Sequence, residues 1–137
     1  AAAIAFAIVE HMRVFIEREL EVQGLHGAEA LLQWLHVDDL PSDAAVDPQA
    51  SSYIVPHIDV ANRPQYSISS ILYLATGEGI DFEGGRLVFH DEDADRVLVP
   101  REGRLVAFTS GAENPHSIER VTKGERFALS VWFSHSE

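Results

Sequence analysis

Cysteine is absent from the 137 residues, which removes disulfides, thiolate nucleophiles and cysteine zinc sites from consideration. Positive charge is scarce: ten Lys and Arg stand against 22 Asp and Glu, for a formal net charge of −12. Such a surface repels phosphate backbones and anionic headgroups, so no nucleic-acid partner is expected and a basic or neutral one is favoured. Long apolar runs are missing too. The opening AAAIAFAIV falls far short of the roughly 20 residues of a membrane span and lacks the basic segment of a signal peptide. No membrane span is expected; the chain reads as soluble, and composition leaves its compartment open, cytoplasm or endoplasmic-reticulum lumen. Internal repeats and low-complexity tracts are also lacking.

What is present is an ordinary globular composition, 46% hydrophobic and 23% charged, at a length that suits one domain with a real core. The N-terminal 36 residues read as helical support. Ile4, Ile8, Met12, Phe15 and Leu20 form a stripe on a first helix, and Ala28 to Leu35 suggest a second after Gly24 and Gly27. Residues 37–51, acidic and holding two prolines, read as a loop. From residue 52 the pattern turns to strands, predicted at 52–60, 66–75, 86–90, 96–99, 104–109, 116–121 and 126–133, with turns at Gly84-Gly85 and Lys123-Gly124 among others. Short strands behind two helices suggest a mainly β fold, a barrel or double-sheet jelly roll over 52–133.

Alternation along two of these strands separates a core face from a cavity face. Phe127, Leu129, Val131 and Phe133 make one apolar face, opposite Arg126, Ala128, Ser130 and Trp132. In YSISSILYLA the face with Ser67, Ser69, Ile71 and Tyr73 lies opposite the apolar one. Small, polar and aromatic side chains together describe the wall of a ligand cavity.

Two His-x-Asp pairs occur. His36-Val37-Asp38 follows the helical pattern ALLQWL and is read as a helix-end His before turn acids. His57-Ile58-Asp59 falls in the first predicted strand, where the period of two puts Tyr53, Val55, His57 and Asp59 on one side. Two His and one carboxylate with open positions form the facial triad of non-haem Fe(II) oxygenases. His11 and His26 belong to the helical region, His90 precedes an acidic turn, and His135 lies near the end. His116, starting a strand after a Pro-fixed turn, is the candidate third ligand.

His57-x-Asp59, a strand ending Leu72-Tyr73-Leu74, DFEGGRLVF at 81–89, and GRLVAFTSGAENPHSIERVTKGERFALSVWF at 103–133 follow one another in order. Together they resemble the prolyl 4-hydroxylase-like branch of the Fe(II)/2-oxoglutarate-dependent dioxygenases. The resemblance spans residues 52–133 and implies a double-stranded β-helix enclosing iron. It implies a reaction that couples oxidative decarboxylation of 2-oxoglutarate, with O2, to hydroxylation of a C–H bond, releasing succinate and CO2. Ascorbate is a candidate auxiliary reductant.

Carried across by position, His57, Asp59 and His116 are the implied Fe(II) ligands and Arg126 the clamp on the distal carboxylate of 2-oxoglutarate, a pairing guanidinium makes bidentately. Tyr73 is the implied second donor to that carboxylate. Tyr53 matches a cosubstrate-contacting position, and Trp132 lines the cavity beside the second His. Lys123, in a predicted turn, is expected in solvent. Loops 41–51 and 61–65 and the segment 76–85 are expected at the substrate rim. A prolyl residue of a peptide or protein is the expected substrate, a lysyl residue the runner-up. A non-catalytic jelly-roll binding module is the alternative from another class.

Overall fold

A computed structural model describes residues 1–37, 53–61 and 63–135. Helix α1 spans Ala2–Glu19. Strands follow at β1 Leu25–His36, β2 Ile68–Tyr73, β3 Phe82–Gly84, β4 Leu87–Phe89, β5 Arg96–Leu98, β6 Leu105–Thr109, β7 His116–Ile118 and β8 Val121–His135. All pairings are antiparallel. The larger sheet runs β1-β8-β2-β6, with β3 on the near end of β8, and the smaller runs β5-β4-β7. These are the two sheets of a jelly-roll core.

The inner faces meet in one apolar cluster. Ile71, Tyr73, Phe108 and Ala128 come from the larger sheet, and Leu87, Phe89 and Ile118 from the smaller. On the outer face of the larger sheet, Met12 and Ile16 of α1 pack on Leu25, Ile68, Val131 and Phe133. The period-two expectation holds for 68–73 and for 128–133, since alternate residues divide between these clusters. Phe127, expected beside Leu129, Val131 and Phe133, instead packs against the cluster of Tyr73 and Ala128, its ring stacked 6.2 Å from that of Trp34. Among the described residues no helix is long and apolar enough to cross a membrane.

Four further local expectations are corrected. First, Ala28 to Leu35 are not helical. They lie in β1, whose pairing with β8 runs from Leu25–His135 to His36–Glu125 with a bulge between Gly27 and Glu29. Leu31, Leu32 and Leu35 satisfy a helical spacing as well as a strand, and the long free edge of β8 decides between them. His36 therefore ends a strand, with its ring 5.1 Å from that of Trp34; Asp38 lies outside the described residues.

Second, the packed stripe of α1 is Met12 and Ile16 with Ile8 and Val9 beside them, while Ile4, Phe15 and Leu20 are exposed. Third, residues 53–61 are not a strand. A turn at Tyr53-Ile54 and a bend at Val55 lead to an isolated bridge at His57, and Asp59–Ala61 form a 3-10 turn. Pro56 lacks the N–H a continuous ladder would need.

Fourth, Lys123-Gly124 is no turn. Gly124, at φ 72°, lies within β8 where β3 crosses, and a Cβ there would stand 2.1 Å from the Asp81 carbonyl oxygen. β3 itself falls within the segment expected to be a glycine-rich rim. Lys123 is exposed and pairs with Glu83 at 3.6 Å. Of the expected rim loops, 41–51 lies outside the described residues.

Candidate metal and cosubstrate site

His57 and His116 are brought together by backbone. Each donates its N–H to the other's carbonyl at 2.9 Å, which joins the 53–61 segment to the edge of β7. The rings stand 4.4 Å apart between centroids. The Nδ1 of His57 lies 2.8 Å from the Val55 carbonyl oxygen, and that of His116 lies 2.9 Å from the Asn114 carbonyl oxygen. A carbonyl only accepts, so both Nδ1 atoms carry the proton and both Nε2 lone pairs are free to ligate.

Asp59, at the start of the 3-10 turn, completes the group. Its Oδ1 lies 3.5 Å from Nε2 of His57 and 3.6 Å from Nε2 of His116. One ligand atom from each residue lies within 4.8 Å of the others, and this is the cluster of its kind found among the described residues. Adjacent ligands roughly 2.1 Å from a metal stand about 3 Å apart at a right angle, so each Asp59–His separation need shorten by only about half an ångström. Two neutral imidazoles, one carboxylate and open positions suit Fe(II).

Two of the three electrostatic shifts, on Asp59 and His116, favour the ligating forms. Burial disfavours charge on Asp59, yet the adjacent His57 ring, hydrogen bonds from Ser69 and Trp132, and the nearby His116 outweigh it and bring its pKa down to about 2. His57 is raised, first by its interaction with Asp59. His116 is lowered, chiefly by burial, which favours the neutral imidazole a metal requires.

Farther in, Arg126 on β8 is fully buried. Its Nε donates to the Gly85 carbonyl at 3.1 Å and its Nη1 to Gln33 Oε1 at 3.3 Å, while Nη2 has no hydrogen-bond partner. The guanidinium lies over the Tyr73 ring at 5.4 Å, and the buried Tyr73 hydroxyl is likewise unpartnered. Burial lowers the guanidinium pKa, opposed by Tyr73, and raises that of the phenol. A buried cation and a neighbouring donor left unsatisfied are costly, and a carboxylate would satisfy both.

Tyr53, Gln33, Ser130 and Trp132 line the enclosed cavity, of about 50 Å3, that holds the three ligands. A wider groove of about 980 Å3 lies along Arg86, Val88, Ser117 and Glu119 of the smaller sheet and includes none of the three. The smaller space holds the chemistry because the donors converge there. Sequence reasoning named Tyr53, Tyr73, Arg126 and Trp132 along with the three ligands. It placed Ser69 on the cavity face without a role, and it missed Gln33, hidden in the segment read as helix, and the Gly85 carbonyl.

The fold and this donor set define a non-haem iron oxygenase architecture. A family profile for the 2OG-Fe(II) oxygenase superfamily matches residues 44–134, and the chain belongs to that family. The "2-oxoglutarate and iron-dependent oxygenase domain-containing protein 3" of Xenopus tropicalis is 46% identical over 82 residues, 60% of this chain and 26% of that protein. Prolyl 3-hydroxylase 2 of Gallus gallus is 45% identical over 69 residues, 48% of this chain and 9% of the relative. The chain thus spans about a quarter or less of these relatives' length. A Pseudomonas putida prolyl-4-hydroxylase crystal structure superposes with a TM-score of 0.66 at 25% identity, covering 93% of this chain and 63% of that one.

Proposed function

We propose that this chain forms the catalytic core of an Fe(II)- and 2-oxoglutarate-dependent dioxygenase that hydroxylates a prolyl residue of a peptide or protein. His57, Asp59 and His116 hold the iron through two Nε2 atoms and Oδ1. Bound there, Fe(II) supplies the redox centre at which 2-oxoglutarate and O2 are converted to succinate and CO2, with one oxygen atom passing to the substrate. Arg126 Nη2 and the Tyr73 hydroxyl donate to the distal carboxylate and set the depth at which the diacid sits. Tyr53 and Trp132 wall the cavity, and the apolar layer of Ile71, Phe108 and Ile118 limits water around the reacting groups.

The observation that carries this reading is the pair of unsatisfied buried donors, on Arg126 and Tyr73, beside the three-ligand cavity: Gln33 lines that cavity and accepts from Arg126 at 3.3 Å. The prolyl target rests on the likeness to the prolyl 3-hydroxylase and prolyl-4-hydroxylase relatives, which favours it over a lysyl one. A complete ligand set with an unpaired clamp is not the condition of a non-catalytic module. The charge of −12 suits a basic peptide.

Anaerobic addition of Fe(II) and then 2-oxoglutarate should produce the weak visible charge-transfer absorption of a chelated keto acid. Admitting O2 should release succinate, and proline-containing peptides should gain one oxygen by mass. Metal binding with no absorption and no succinate would overturn the proposal.

A further inference from the structure

The geometry points to Ser69 and Trp132 as positioning residues that grip one oxygen of Asp59 so that only the other is offered to a metal. This rests on the metal-site reading above and goes beyond it, because neither residue is a ligand and both act through the carboxylate.

The two oxygens of Asp59 have different surroundings. Oδ2 accepts from the Ser69 hydroxyl at 2.5 Å and from the Trp132 indole N–H at 2.9 Å. Oδ1 receives neither and faces the two Nε2 atoms at 3.5 and 3.6 Å. Each donor is itself held. Ser69 is on β2, nearly fully buried, and its hydroxyl lies 2.7 Å from that of Ser110. Since Ser69 spends its proton on the carboxylate, Ser110 donates to Ser69. Trp132, on β8, stacks on Tyr66 at 5.6 Å with 17° between planes, and the Tyr66 hydroxyl donates to Glu29.

Asp59 is on a 3-10 turn outside either sheet. Its backbone therefore lacks the ladder that fixes β2 and β8, and its side chain would rotate among several orientations without a second attachment. Ser69 and Trp132 face each other across the β2–β8 pairing and supply that attachment from the rigid sheet. Two donors on Oδ2 use the lone pairs a bidentate carboxylate would need, which leaves Oδ1 as a single-atom ligand and keeps other positions on the metal open. The indole N–H, taken in the sequence as part of a cavity wall, is thus committed to Asp59 rather than to the cosubstrate.

The test uses Mn(II), a redox-stable probe, titrated into the whole chain and followed by electron paramagnetic resonance. Ser69→Ala and Trp132→Phe should each weaken Mn(II) binding by about tenfold to a hundredfold, the range for losing a residue that orients a ligand. The combined variant should lose less than the product of the two, because both act on one oxygen. Ser70→Ala is the structural control. That buried hydroxyl bonds the Val131 carbonyl at 2.8 Å and does not touch Asp59, so its loss should lower the thermal midpoint of the metal-free protein and leave Mn(II) affinity within about twofold.

His116→Ala should abolish binding, which establishes that the metal occupies this site. Parent-like Mn(II) affinity in both Ser69→Ala and Trp132→Phe would overturn the inference and spare the site. A loss in Ser70→Ala equal to theirs would also overturn it. Failure of the parent protein to bind Mn(II) would overturn the metal site and the inference with it.

Discussion

Arg126 is a fully buried cation whose supports among the described residues are two neutral acceptors, the Gly85 carbonyl and the Gln33 amide. Its remaining donor stays available for a carboxylate only while no carboxylate of the chain takes it. Gln33→Glu would place one beside Nη1 with almost no change in shape, and we expect 2-oxoglutarate affinity to fall at least about tenfold, as an internal ion pair competes with the diacid. Metal affinity should stay the same. Calorimetric titration of 2-oxoglutarate into the metal-loaded variant measures the first, and titration of Mn(II) into the metal-free variant measures the second. Gly85 is constrained differently. At φ 64°, with a Cβ there 2.8 Å from Arg126 Cδ and 3.1 Å from Phe82, it must be glycine for the guanidinium to pass. Gly85→Ala should cost about 1–2 kcal/mol for the left-handed backbone alone, with more from the clash, and should raise the 2-oxoglutarate dissociation constant while sparing metal binding.

At the level of elements, α1 and the metal site lie on opposite faces of the larger sheet, so stability and function separate. Ile16 is buried and Phe15, its neighbour in sequence, is largely exposed. Ile16→Ala should destabilise by about 2–5 kcal/mol, and Phe15→Ala by under about 1 kcal/mol, in chemical denaturation. Neither should change metal affinity. The reverse ranking would mean that the face predicted from Ile4, Phe15 and Leu20 is the packed one. β1 teaches the complementary lesson. ALLQWL has the composition of a helix, and it is strand because β8 extends far enough to leave an edge that twelve residues can pair. Gln33 reaches the cavity only by that pairing, so its role could not be read before the strand was known.

For the molecule as a whole, ligands drawn from two distant segments, His57 with Asp59 and His116, make metal binding a property of the folded state. Ligand bound only by the native form stabilises it by about 2.7 kcal/mol at a free concentration of 100 times the dissociation constant, and for a domain of this size that is a thermal shift on the order of 10 °C. Mn(II)-loaded protein should lose that increment on chelation. His116→Ala should show the same midpoint with and without the metal. A shift that persists in His116→Ala would place the metal elsewhere.

The sequence by itself determined which side chains could do the chemistry. His57, Asp59, His116, Tyr73 and Arg126 were legible because residue type, order and spacing carry ligand chemistry, and because alternation along 68–73 and 128–133 follows from the pleat of a strand whatever it packs against. The tertiary structure decided how they meet. His57 and Asp59 converge through a backbone bridge and a 3-10 turn rather than along a strand, since Pro56 cannot donate to a ladder and β7 offers the edge. It also decided which oxygen of Asp59 is free, and which carbonyl and amide hold Arg126, because those contacts join residues up to 93 positions apart. Local patterns reflect propensity; contacts across such distances exist only once the sheets have closed.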